Sequence, residues 1–217
     1  MPSEIHELTI ADEPATWAAL GFAVEGDVCR VGGGPIRLAG RDAGRGIVGW
    51  TLTGIASEQL DGLSTRRADA ASAAAPTPSV SSAVAHPNSV TVLDHVVAMT
   101  PALDRTVAVL QEAGLDLRRI REEPTPAGAP RQAFFRLGEV ILEVVQVPEE
   151  AVERSGGPNG PAFFWGLAFK VTDLDATVAA IGEDRCSPPR PAVQPGRRIA
   201  TLRRSAGLAL PVALMTE

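Results

Sequence analysis

Residues 89–147 decide how the chain is read, and the two ends of that stretch carry the argument. Leu93-Asp94-His95-Val96-Val97 opens it and Val140-Ile141-Leu142-Glu143-Val144-Val145 closes it. Both are apolar runs of strand character; a histidine sits in the first and a glutamate in the second. Such groups inside apolar strands must be hydrogen-bonded, paired or metal-bound, because burying them bare is costly. Between the two ends, Thr100-Pro101 fits a helix cap followed by a first helical position. Leu103, Thr106, Val107 and Leu110 then recur at i, i+3, i+4 and i+7, one apolar stripe that Gly114 terminates. Residues 115–121, 131–137 and 140–147 read as strands, with a proline-rich loop at 122–130. The order is β-α-β-β-β.

The same order recurs downstream. Residues 163–171 read as a strand, 173–181 as a helix ending at Gly182, and 199–203 and 208–215 as closing strands. A shift of 71 residues lays Leu103, Asp104, Thr106, Val107, Ala108 and Leu110 on Leu174, Asp175, Thr177, Val178, Ala179 and Ile181. Five of the six are identical, so the two helices should pack on their sheets alike. A shift of 90 places Thr16, Ala18 and Leu20 on Thr106, Ala108 and Leu110, which makes residues 1–63 a degenerate copy of the module. In that copy Asp12 is the expected cap of a short helix. Residues 64–88, rich in Ala, Ser, Thr and Pro, read as a linker in which His86 is exposed. The division is therefore 1–63, linker 64–88, a module at 89–148 and another at 160–217. The fold class is α+β.

Composition narrows the function. A net charge of −6 over 217 residues argues against a nucleic-acid or anionic-membrane binder. No apolar run approaches the length of a membrane span, and the first residues lack a basic, apolar leader. Two isolated cysteines, Cys29 and Cys186, suit a reducing compartment, so the expected setting is the cytoplasm. The glycine runs at 32–34 and 156–160 lack the strand–helix context and the lysine of a phosphate loop and read as turns.

The repeated unit, with LDHVV in its first strand and GEVILEVV in its last, resembles the vicinal oxygen chelate superfamily, which includes glyoxalase I and bleomycin-resistance-type proteins. The resemblance implies paired βαβββ modules forming a curved mixed sheet, helices on its convex face, around a divalent metal such as iron, manganese, nickel or zinc. It also implies a small oxygenated metabolite as ligand, and glyoxalase-like lyase, isomerase or dioxygenase chemistry. Carried over position by position, His95 and Glu143 match the first-strand and last-strand ligands, and Glu143 doubles as the catalytic base. The chain departs from the pattern in its last module, where the 71-residue register puts Gly166 and a position near Pro211 in the ligand places. His6, in the first strand of the first module, is the candidate third ligand. His6, His95 and Glu143 would form two histidines and a carboxylate, the set of a non-haem iron site.

Trp165, Phe134, Gln132 and Arg198 are the candidate pocket residues. Trp165 offers a flat apolar surface beside Gly166, and the polar side chains suit a carboxylate or phenolate. The competing reading is a metal-free protein that binds or sequesters a small molecule at a vestigial site; a purely structural role is a third. An odd number of modules leaves one sheet without an intrachain partner. That sheet should be covered by a second chain or by the linker, which puts a homodimer among the expectations.

Overall fold

The computed structural model describes residues 2–68, 84–125, 128 and 130–217. The core of the expected linker, residues 69–83, lies outside them. Two sheets result. The second half forms eight strands: β8 (Val90–Thr100), β9 (Asp116–Arg121), β10 (Gln132–Leu137), β11 (Val140–Gln146), β12 (Phe163–Val171), β13 (Arg190–Pro191), β14 (Arg198–Thr201) and β15 (Val212–Thr216), in spatial order β13-β14-β15-β12-β8-β11-β10-β9. Within each module the last strand returns parallel to the first, β11 to β8 and β15 to β12. The modules meet through the antiparallel pair β8–β12.

That central pair carries the internal repeat in its register. Val96 faces Leu167, His95 faces Ala168 and Val97 faces Gly166. A shift of 71 residues maps the first pair onto itself and exchanges the other two. The sequence repeat is thus a local two-fold axis through Val96 and Leu167. The helices follow the same symmetry. α2 (Leu103–Glu112) buries Leu103, Thr106, Val107 and Leu110. α3 (Leu174–Ile181) buries Leu174, Thr177, Val178 and Ile181. Asp173 caps α3 by accepting from the Ala176 N–H at 2.9 Å. Thr100 is not the cap residue of α2, a place taken by Ala102; its hydroxyl instead accepts from the Ala102 N–H and bonds the Thr106 hydroxyl inside the core.

The first half is larger than one degenerate module. β1 (Glu4–Ile10), α1 (Pro14–Ala18), β2 (Val24–Glu25), β3 (Val28–Val31) and β4 (Gly34–Leu38) reproduce βαβββ, again with β4 parallel to β1. β5 (Ile47–Thr53) then pairs antiparallel with β1, as β12 does with β8, and β7 (Leu63–Arg67) runs parallel to β5. With β6 (Gln59–Leu60) these make a seven-stranded sheet, β2-β3-β4-β1-β5-β7-β6. The expected spare module therefore has its partner within the chain, a second half-module stripped of its helix. It needs no other chain for that purpose. β7 also carries regular structure past residue 63, into what composition assigns to the linker.

The two sheets share one core. Leu8, Ile10, Ile36 and Leu52 of the first pack in one cluster with Val96, Phe135, Leu142 and Phe169 of the second. Trp17, fully buried on α1, lies 4.8 Å from Phe22 and 6.1 Å from Phe169, ring centre to ring centre. Asp12 does not cap α1. It is completely buried and accepts hydrogen bonds from the Trp17 indole and from the backbone N–H of Ala209, while Arg41 pairs with it at 2.8 Å. His86 is buried as well. The Ala23 N–H donates to its Nδ1 at 2.9 Å, which leaves the proton on Nε2 for the Arg30 carbonyl at 3.0 Å. The end of the expected linker is therefore stitched to the first sheet. At residues 32–34 the chain docks on the second sheet: Gly32 exchanges backbone bonds with Thr91 and Leu93. Gly33 sits at φ +93°, where an added Cβ would lie 2.7 Å from Val140. Among the described residues no helix is long and apolar enough to cross a membrane.

Candidate functional site

The face of the second sheet turned away from the shared core carries the candidate site. His95 on β8 and Glu143 on β11 are diagonal neighbours there, since Glu143 pairs with Val97 and His95 with Ile141. His95 Nε2 lies 3.5 Å from Glu143 Oε2. Gln132 on β10 donates from Nε2 to the other Glu143 oxygen in a short contact. Burial pushes the Glu143 carboxyl above its ordinary pKa, with the positive field of His95 and the bond from Gln132 acting the other way.

Asp94 completes the arrangement. Adjacent strand residues normally face opposite ways. Here the pairing of β8 with β12 slips between Leu93 and His95, so Asp94 is an extra, unpaired residue. This bulge lets Asp94 and His95 meet on one side, with Asp94 Oδ2 2.8 Å from His95 Nδ1. The chain's single lysine, Lys170, reaches the other Asp94 oxygen at 3.3 Å, and Arg197 does so at 3.4 Å. Burial works against ionising Asp94, but His95 and Lys170 outweigh it and the pKa falls to about 2. Asp94 is therefore a carboxylate at neutral pH and accepts the Nδ1 proton of His95. The sequence offers Arg197 as a polar contact for a ligand, but does not by itself single out Asp94 or Lys170. The signal for Asp94 lay in LDHVV itself, an acid and a histidine side by side in an apolar strand.

Two cavities meet at these groups. One, of 370 Å³, is lined by Asp94, Phe134, Ile141 and the arginines of β9; the other, of 500 Å³, by Val97, Trp165, Leu167, Val212 and Ala213. His95, Gln132 and Glu143 line both, so we treat them as two lobes of one groove. Phe134 and Gln132 stand on its wall, and Trp165, 47 % exposed, stands in the larger lobe. Arg198 does not line either lobe. Its guanidinium forms a forked pair with Asp175 of α3 at 2.7 and 2.9 Å.

The donor set does not suit a divalent metal. His6 lies on β1, in the other sheet, and lines neither lobe. Among the described residues no three His, Cys, Asp or Glu side chains gather in a way that could hold a metal ion. The register also corrects the position of the missing ligands. Ala213 pairs with Ala168 as Glu143 pairs with Val97, so Ala213, not Pro211, stands where the last module would supply its carboxylate. A side chain at Gly166 has no room, because an added Cβ would lie 2.6 Å from the Pro211 carbonyl. One side of the groove thus offers a histidine and a carboxylate, and the other offers no side-chain donor at the matching places. Two donors fall short of the three or four that a divalent ion takes from protein.

No family model matches the sequence, and no curated protein matches it significantly. Among solved structures, the chain is similar to methylmalonyl-CoA epimerase from Mycobacterium tuberculosis, with a TM-score of 0.48 and 21% identity, over 59% of this chain and 89% of that one. It is similar to a variant of the Streptomyces coelicolor epimerase in complex with 2-nitronate-propionyl-CoA, with a TM-score of 0.48 and 25% identity, over 59% and 96%. A hypothetical protein from Bacillus halodurans aligns with a TM-score of 0.46 and 16% identity, over 58% and 93%. Two βαβββ modules, each closed by a parallel first–last strand pair and joined through antiparallel first strands, build the paired-module mixed sheet that the resemblance implies.

Proposed function

We propose that the protein binds a small oxygenated metabolite in this groove and moves a proton on it with His95 and Glu143, without a metal. The approach of His95 Nε2 to Glu143 Oε2 at 3.5 Å carries the reading. His95 Nδ1–H donates to Asp94, so Nε2 and Oε2 face each other with lone pairs unless one proton lies between them. Burial favours the neutral acid on Glu143, and the hydrogen bond to Asp94 holds the His95 ring with Nε2 turned towards Glu143. Such a pair can give its shared proton to a substrate oxygen and, once it has lost it, take one from a carbon beside a carbonyl. These are general acid and base steps worth roughly 10²–10⁴ in rate. Glu143 is the group placed to exchange with substrate, and His95 is its relay. Two free, buried cysteines fit a cytoplasmic setting.

The test is deuterium wash-in from D2O, followed by NMR, over a set of 2-oxo acids, 2-hydroxy acids and acyl thioesters. Exchange that survives EDTA and falls at least about 100-fold in both Glu143→Gln and His95→Ala is the expected result. Exchange abolished by EDTA and restored by a metal ion would overturn the metal-free assignment. A second reading, a protein that only sequesters its ligand, draws on the larger lobe. There Ala168, Ala213 and the exposed face of Trp165 offer apolar surface and no reactive group. Tight binding without exchange on any compound would favour it.

A further inference from the structure

We infer that the smaller lobe is an oxyanion subsite, so that the ligand of the groove is an amphipathic acid anchored through a carboxylate or phosphate by Arg119 and Arg121. This rests on the reading of the groove as the ligand site. The arginines come from β9, the edge strand whose sequence Asp116-Leu117-Arg118-Arg119-Ile120-Arg121 would ordinarily describe a solvated edge. Register says otherwise. Arg121 pairs with Gln132 and Arg119 with Phe134, the two β10 residues on the groove wall, so their side chains share that face. Between Phe134 and Phe135 the pairing slips by one residue, so Arg118 has no partner on β10, and it lines the same lobe. Each of the two sheet irregularities at this lobe, at Asp94 and at Arg118, adds a charged side chain to its wall.

The charge balance then points to an anion. Arg118 pairs with Asp116 at 3.1 Å, and both are well exposed. Among the described residues no carboxylate pairs with Arg119 or Arg121; Arg119 instead lies 5.1 Å from the centre of the Phe134 ring. The acids that line the lobe are engaged elsewhere, Asp94 with His95, Lys170 and Arg197, and Glu143 with His95 and Gln132. The rest of the lining, from Ala192, Val193, Ile199 and Met215, is apolar apart from Gln194. An oxyanion at the arginines, a reacting carbon at His95 and Glu143, and an apolar body beside Trp165 would occupy the two lobes in sequence. Arginine suits this task because its fork matches both oxygens of a carboxylate or phosphate.

Two fluorescent probes separate this idea from the one beneath it: 8-anilinonaphthalene-1-sulfonate, which carries an oxyanion, and N-phenyl-1-naphthylamine, which has the same rings without it. The sulfonate should bind at least about tenfold more tightly, and the double variant Arg119→Gln/Arg121→Gln should erase that advantage. Replacing both by lysine, which keeps the charge and loses the fork, should recover only part of that advantage. Benzoate and inorganic phosphate, as competitors, distinguish a carboxylate guest from a phosphate guest; failure of both to displace the sulfonate overturns the subsite. Trp165→Ala reports on the groove itself and should weaken both probes. If it does, while the glutamine pair weakens neither, the oxyanion subsite is wrong and the groove stands. If neither change affects either probe, the groove is not the ligand site and the earlier reading fails too.

Discussion

Glu143 on β11 and Ala213 on β15 occupy the same place in two copies of one module: Glu143 pairs with Val97 of β8, and Ala213 with Ala168 of β12. One copy keeps an ionisable group there and the other has lost it. The loss at Gly166 is reinforced sterically by the Pro211 carbonyl. The site is therefore one-sided, with His95, Asp94, Glu143 and Gln132 as its reactive and polar groups.

Metal content follows directly. Protein purified without chelator is expected to hold well under one equivalent of Mn, Fe, Ni or Zn, and EDTA should leave its melting temperature unchanged. Ala213→Glu returns a carboxylate to the empty half and should raise Ni²⁺ affinity by about tenfold or more. Metal analysis and calorimetric titration check both. A stoichiometric metal in the unaltered chain would contradict the donor-set argument.

Glu143→Gln should cost little stability, because the amide keeps the shape and can still accept from Gln132. It should change the pH profile. A carboxyl whose pKa is raised on folding binds more protons in the folded state. Its contribution is complete below the unfolded value and is lost as pH rises through the folded one. Unfolding free energy of the parent, less that of the variant, should therefore decline with rising pH above the ordinary carboxyl range. Urea melts across pH 4–8 give the difference curve.

His86 predicts the opposite slope. Burial lowers its pKa, against a weaker opposing effect of its bond to the Arg30 carbonyl. The neutral ring accepts from the Ala23 N–H, which an imidazolium cannot do. The unfolded chain therefore binds the proton first, and stability falls as pH drops below about 6.5. His86→Ala should destabilise by about 1–3 kcal/mol at pH 7.5 through two orphaned backbone groups. It should also flatten that acid limb. An unchanged limb would place the titration elsewhere.

Asp12 ties the chain's beginning to its end. Asp12→Ala leaves the Trp17 indole and the Ala209 N–H unpaired in the core and removes the partner of Arg41, for an expected loss of about 3–5 kcal/mol. Asp12→Asn keeps one acceptor oxygen and should lose less. Equilibrium unfolding followed by tryptophan fluorescence measures both.

Much of this was legible along the chain. The four-residue stripes of α2 and α3, the strand runs at β8, β11 and β12, and the 71-residue repeat each reflect a side-chain period that the backbone imposes locally. The sequence names His95, Glu143, Gln132 and Phe134 one by one; that they line one lobe comes from the pairing of β8, β11 and β10. β6 and β13 escaped because two residues show no period, and β7 because Leu63 is the one apolar residue in its LSTRR run. Asp94 and Arg118 escaped because a bulge belongs to the pairing of two strands and not to either strand alone.

By itself, then, the sequence determined the module: the order of its strands and helix, which helix faces are buried, and that the unit is repeated. Those are consequences of neighbours a few residues apart. Only the tertiary structure decided that His6 lies on a different sheet from His95 and that residues 47–67 partner the first module. It alone buried His86 and Asp12, and it alone put Ala213 in the ligand place opposite Glu143. Each of these depends on register and packing between segments far apart in the chain. A slip of one residue there turns a side chain from groove to core.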